Sequence, residues 1–215
     1  MTPEPTAASS AAPETLTTQS TAESTAPATT AARPGVVRRA TVDDAAEAAW
    51  LAALTFPLAC PPEAARTDIA AHIAHKLTLA HFREWAGSDE HALLVYDDGT
   101  RLLGYVLLIL GAPSGTAEAD AVREASGREA PYVELSKIYV HPDVLGRGIA
   151  GELMRSAVDT AAGLGPGLPL WLGTNALNLR AQAFYRKSGF EVIGKRTLFV
   201  GSLECDDVVL LRTQQ

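Results

Sequence analysis

Large apolar side chains are almost absent from Met1 to Pro34 and recur in regular patterns from Val36 onward. Val36 to Arg39 predicts a short first strand. Thr41 then predicts a helix N-cap, with Asp43 and Asp44 in the first turn, where the helix dipole favours acids. That helix runs through Trp50 and Leu54 towards Pro57. After Pro61-Pro62, Ile69, Ile73 and Leu77 recur at helical spacing, and Phe82 and Trp85 prolong the same apolar side to Gly87. Strand patterns follow, with His91 to Tyr96 and Leu102 to Leu110 flanking the hairpin signal Asp97-Asp98-Gly99. Gly111 to Ala130 is polar and rich in small residues, and reads as an unusually long loop. Tyr132 to Val140 predicts a strand, and Ile149, Leu153, Ala157 and Ala161 lay an apolar stripe along a helix. Leu168 to Gly173 predicts a strand and Asn178 to Ser188 a helix. Phe190 to Ile193 and Val208 to Leu211 close the chain as strands, with Leu198 to Val200 extended between them. The order β-α-α-β-β-β-α-β-α-β-β is a mixed α+β layer.

The 215 residues suffice for one sizeable domain plus an appendage. Met1 to Pro34 is built almost entirely from Thr, Ala, Ser, Pro and Glu. Such a segment buries too little apolar surface to offset its ordering entropy, so residues 1–35 are expected to be a disordered tail. The net charge of -7 argues against a uniform basic face for nucleic acid. No basic-then-apolar leader opens the chain, and the apolar run Leu102 to Leu110 is too short to span a bilayer. Cys60 and Cys205 lie far apart, in no metal-type spacing and no disulfide framework. A reducing cytoplasm is the expected setting, with neither membrane nor nucleic acid as partner.

Chemistry concentrates after the Tyr132 to Val140 strand. His141-Pro142 marks a turn, Leu145-Gly146-Arg147-Gly148 forms a glycine-rich loop, and a helix starts at once with Ile149-Ala150-Gly151. Glycines there let backbone approach a ligand, and the first helical N–H groups have no internal partners. Together they suit a pyrophosphate, with Arg147 adding a charged contact. Two glycines at a helix start also suit a plain tight turn. The Gly-Lys-Ser/Thr ending of a P-loop is missing, as is the acidic residue of a dinucleotide fingerprint.

Further on stands Asn178-Leu179-Arg180-Ala181-Gln182-Ala183-Phe184-Tyr185-Arg186-Lys187-Ser188-Gly189-Phe190. The pattern Asn-x-x-Ala-x-x-Phe-Tyr-x-Lys-x-Gly-Phe, downstream of a glycine-rich strand-to-helix junction, resembles the paired acyl-CoA motifs of GCN5-related N-acetyltransferases (GNAT). The resemblance is specific from Glu134 to Gly194, and Glu134-Leu135-Ser136-Lys137-Ile138-Tyr139-Val140 is similar to the branch containing polyamine-type acetyltransferases. It implies a GNAT fold over residues 36–215, a mixed, mostly antiparallel twisted sheet of about six to seven strands flanked by about four helices. It implies acetyl-CoA as cosubstrate, no metal, and transfer of the acetyl group to an amine by direct attack through a tetrahedral intermediate. The alternative is a non-catalytic acyl-CoA-binding module.

The resemblance also implies site residues. Ile138, Tyr139 and Val140 match the strand along which the pantetheine arm docks like an added strand. Gly146, Arg147, Gly148, Ile149, Ala150 and Gly151 match the pyrophosphate turn, although Leu145 stands where the family usually has Gln or Arg. Asn175 and Asn178 match positions beside the pantetheine, and Asn178 equally suits a helix N-cap. Tyr185 matches the general acid that protonates the departing thiolate, or is a core aromatic next to Phe184. Adjacent helical positions point about 100° apart, which argues against both rings sharing one buried face. Glu134 is the expected base, partly desolvated and raised in pKa, or else a solvent-facing residue paired with Lys137.

The acceptor is expected to be a small-molecule amine or a protein or peptide amine, with a symmetric homodimer as the default assembly. The first two helices and the Gly111 to Ala130 loop are expected to wall its site. In that loop Glu118, Asp120, Glu124 and Glu129 are either solvated or draw in a cation such as a polyamine. His72, His75, His81 and His91 show no metal-ligand spacing and read as surface or partly buried side chains. His141 reads as a turn residue, and Asp206-Asp207 as a turn or solvated strand edge. Cys60 and Cys205, with no neighbouring His or basic cluster, are not expected to be nucleophiles.

Overall fold

The computed structural model describes residues 35–201 and 203–213. Of the expected tail, residues 1–35, all but Gly35 lies outside the described residues. Seven strands form one sheet in the order β1-β2-β3-β4-β5-β7-β6. They are β1 (Val36–Arg39), β2 (His91–Asp97), β3 (Leu102–Gly111), β4 (Tyr132–Val140), β5 (Leu170–Asn175), β6 (Phe190–Val200) and β7 (Leu203–Arg212). All neighbours are antiparallel except β4 and β5. The helices are α1 (Ala45–Ala59), α2 (Arg66–Lys76), α3 (Leu79–Gly87), α4 (Thr116–Ser126), α5 (Ile149–Leu164) and α6 (Leu179–Lys187). The chain is therefore the expected α+β fold, with six α-helices among the described residues where about four were predicted.

Two local features make up the difference. The periodic run from Ile69 to Trp85 breaks at Thr78, whose hydroxyl accepts from the His81 N–H at 3.2 Å and starts α3 as a separate helix. The expected Gly111 to Ala130 loop contains α4. Glu118 accepts from the Gly115 N–H at 3.1 Å, capping the helix start, while Val122 is fully buried. The last two strands are also longer than predicted, running as a hairpin from Phe190 to Arg212.

Strand alternation sends side chains to two different layers. On one face Val106, Leu108, Val133, Leu135 and Leu172 pack against Leu153, Met154 and Ala157 of α5 and Tyr185 of α6. On the other, Leu93, Tyr105 and Leu107 pack against Leu51 of α1 and Phe82 of α3. Tyr132, Trp171 and Val209 of that same face pack against Val122 of α4. No helix among the described residues is long and apolar enough to cross a membrane.

Candidate functional site

The parallel pair β4–β5 holds together only at Val133–Leu170 and Glu134–Trp171. Beyond those pairs β5 continues against β7, and β4 continues against β3. The two strands therefore diverge, leaving one edge of β4 without a strand partner. His141 donates its N–H to the Leu103 carbonyl at 2.8 Å. Antiparallel alternation then turns the N–H and C=O of Tyr139 towards β3, and those of Ile138 and Val140 towards the opening. Of the three strand residues implicated by the sequence, Ile138 and Val140 thus offer free backbone. Tyr139 spends its backbone on the sheet and faces the α1–α3 layer.

This open edge leads to the glycine turn. Gly146 and Gly148 have φ of 82° and 86°, the left-handed region that a side chain disfavours. The Gly146, Gly148, Ile149 and Ala150 N–H groups donate to no backbone acceptor among the described residues. Gly151, by contrast, donates to the Gly148 carbonyl at 2.9 Å. Arg147 is exposed, and Leu145 is also exposed rather than packed. His141 caps the preceding 3-10 turn, accepting from the Asp143 N–H at 3.2 Å, and is a turn residue as expected. The result is a concave set of donors at the N-terminus of a sixteen-residue helix, suited to an anion.

At the far end of β5, Asn175 accepts from the Leu177 N–H at 2.8 Å and Asn178 caps α6 by accepting from Ala181 at 3.0 Å. Both carbonyl oxygens are committed to the turn, leaving the side-chain NH2 groups for a ligand. Asn175 and Asn178 face Cys60 and Pro61 across a cleft of about 230 Å³. Tyr185 is 9% exposed and packs edge-on to Phe190 with centroids 6.1 Å apart. Phe184 packs on the same apolar cluster, so the two adjacent rings do share a core despite their helical offset. Burial, and then the neighbouring Tyr139 phenol, push the Tyr185 hydroxyl well above the ordinary phenol value. Burial pushes Tyr139 itself up to about 12.

The opposite face carries the other titratable groups. The β3–β4 register steps from Leu108–Leu135 to Leu107–Lys137, so Ser136 is an extra residue in β4. That bulge puts Glu134 and Lys137 on one face with Tyr139 and Trp171, although an unbroken strand would point Glu134 and Lys137 apart. Burial raises the Glu134 carboxyl above its ordinary value; Arg196 and then Lys137 partly offset the rise, and Glu118 adds to it. Burial lowers the Lys137 ammonium, with Glu134 acting in the opposite direction.

Arg196 of β6 lies across β5 at Gly173, where any Cβ would collide with its guanidinium. It stacks over Trp171 at 5.7 Å and pairs with Asp207 at 3.3 Å and Glu118 at 3.5 Å. Asp207 is therefore a buried ion-pair member rather than the turn or solvated edge that the sequence suggests. Burial outweighs the pairing and leaves its carboxyl above the usual range. Glu118 likewise is buried against Arg196, not solvated, whereas Asp120 pairs with Arg123 on the exposed side of α4. Among the histidines, His72 stacks on Phe56 at 4.3 Å and His75 is exposed. No metal-type cluster of three or more His, Cys, Asp or Glu occurs among the described residues.

The chain belongs to the acetyltransferase (GNAT) family, whose model matches residues 56–190. Among its relatives are uncharacterised N-acetyltransferases of Mycobacterium bovis and Mycobacterium tuberculosis H37Rv. Each is 40% identical over 169 residues, spanning 79% of this chain and 97% of the relative. The PaiA N-acetyltransferase of Thermoplasma acidophilum, solved with coenzyme A, matches at TM-score 0.63 and 16% identity. That match covers 84% of this chain and 99% of that one. The ribosomal-protein-S18-alanine N-acetyltransferase of Escherichia coli matches at TM-score 0.57 and 14% identity, covering 83% and 92%. At these identities the two structures show the shared fold. Family membership supports acyl transfer from coenzyme A to an amine.

Proposed function

We propose that the protein transfers the acetyl group of acetyl-CoA to the amine of an acceptor by direct attack. The observation that carries this reading is the divergence of β4 from β5, with Tyr185 on one side of the sheet and Glu134 on the other. The pyrophosphate would sit on the Gly146–Gly151 turn, and the pantetheine arm would pair with Ile138 and Val140. Asn175 and Asn178 would bound the arm beside the Cys60 cleft. Glu134 takes a proton from the acceptor ammonium, and the amine nitrogen then bonds to the thioester carbon. As the tetrahedral intermediate collapses, the carbon–sulfur bond breaks and Tyr185 protonates the departing thiolate. The attacking nitrogen loses its second proton to solvent as the amide forms; solvent also returns the proton lost by Tyr185 and removes the one held by Glu134, so one proton is released per turnover. Much of the acceleration comes from holding amine and thioester together.

Thiol release across a panel of amines, amino acids and peptides tests the reaction. Amine-dependent release is expected. Acetyl-CoA binding without turnover on any acceptor would overturn it and leave a binding module. The anion turn has its own test. Gly148→Glu places a carboxylate among the free N–H groups and should weaken acetyl-CoA binding by about 10- to 100-fold in calorimetry. Gly148→Ala, which adds only left-handed strain, should have a smaller effect. Equal losses in the two variants would count against a pyrophosphate at this turn.

A further inference from the structure

Outside the Arg196 ion-pair network, the acceptor face holds a charged group that the proposed chemistry leaves unused. Lys137 lies in the half-buried layer between β4 and the α2–α3 segment. Its ammonium stands over the Trp85 ring at 5.2 Å and donates to the Ser136 hydroxyl at 3.2 Å. It forms no ion pair with any described carboxylate. An ammonium has three N–H donors, so a partly desolvated one with a single hydrogen bond is under-satisfied.

The surrounding charges make this selective. Glu118 and Asp207 are both engaged by Arg196. Glu134 influences Lys137 electrostatically but does not contact it. Lys137 acts electrostatically on His72 of α2 and His91 of β2, but burial is the main cause that keeps both below the ordinary imidazole value. Beside that ion-pair network the face therefore presents, among the described residues, one cation and one carboxylate without an ion-pair partner, both turned the same way by the Ser136 bulge.

We infer that the acceptor is an amino acid, its carboxylate bound by Lys137 and its amine presented at Glu134. This rests on the acetyltransferase reading above and names the substrate class of that site. A polyamine matches the face poorly, because its second ammonium would meet Lys137 where the amino acid places a carboxylate. Lys137 is thus a specificity determinant and takes no part in bond making.

The test compares acceptors that differ only by the carboxylate: leucine with isoamylamine, phenylalanine with phenethylamine, and lysine with cadaverine. β- and γ-amino acids, spermidine and a blocked-C-terminus peptide complete the set. The wild-type protein should favour the amino acids in kcat/KM by about 10- to 100-fold, the range for one charge-assisted contact. Lys137→Met, assayed above the acid limb of the rate, should lose that preference through a raised KM for amino acids, so that the kcat/KM ratio of each amino acid to its matched amine falls towards one. Lys137→Arg should recover part of it. Turnover confined to plain amines, polyamines or the peptide would overturn this inference and leave the acetyltransferase intact. So would an equal loss on all acceptors in Lys137→Met. Acetyl-CoA binding with no turnover on any acceptor would overturn both.

Discussion

Tyr185→Phe is expected to lower kcat by about 10²- to 10³-fold while acetyl-CoA affinity changes by no more than about twofold. The phenol sits on α6, next to the divergence of β4 and β5, and makes no hydrogen bond with a described residue. A hydroxyl without a structural partner can be removed at little cost to the fold. The ring would keep its edge-on packing against Phe190 and its place in the apolar cluster. What the variant loses is a proton donor for the departing thiolate. Burial holds that donor's pKa above the ordinary phenol value, so the hydroxyl stays protonated throughout the working range. The wild-type pH profile should consequently show no alkaline loss assignable to this tyrosine up to about pH 10. Stopped-flow turnover and equilibrium acetyl-CoA binding on the same preparation separate the two quantities. Unchanged turnover would refute the acid role, and parallel loss of binding and turnover would reassign Tyr185 to cosubstrate contact.

The regular part of the fold was legible because its apolar patterns are local. The continuous apolar run Leu102–Leu110 reflects a strand packed on both faces, and the stripe Ile149, Leu153, Ala157 and Ala161 reflects one helix face packed against the sheet. The sequence pattern fails where charged residues do structural work. Lys195, Arg196 and Thr197 read as a break between short strands, yet Arg196 is a half-buried mid-strand residue with Asp207 opposite it in register. The same ion-pair network hides α4, whose first turn contributes Glu118. Local polarity gives no notice of a partner 78 residues away in sequence.

The site divides along the same line. The glycine turn and the Asn178 cap are local backbone devices, so sequence alone placed them. Glu134 was picked out by its position before the turn, but its company was not. Lys137 lies three residues on, and an uninterrupted strand would send it to the opposite face. Only the extra residue Ser136 brings the two together, and a bulge is decided by the pairing with β3 rather than by any residue preference. Arg196 and Asp207 joined this face through tertiary register alone.

Glu134→Gln should reduce kcat/KM by about 10²- to 10⁴-fold and should leave thermal stability at neutral pH equal or higher. The two halves of that expectation together distinguish a base from a structural carboxylate. In the folded protein the Glu134 pKa lies above its ordinary value, chiefly through burial, so folding favours the protonated form. Its stabilising contribution is therefore present below the ordinary value of 4.5 and is lost as pH rises through the folded value. At neutral pH the ionised carboxylate is a burden on the fold, and a neutral amide of similar shape removes it. The melting temperature of the variant relative to wild type should then rise as the pH is taken from 4 to 8. The wild-type rate should fall on the acid side with a limb above the ordinary carboxylate range, and that limb should vanish in the variant. Lys137→Met gives a coupled reading, because loss of that nearby cation moves the limb further up. If Glu134→Gln instead destabilised the protein at pH 8 and kept its acid limb, the carboxylate would be holding the bulged strand together and the base would lie elsewhere.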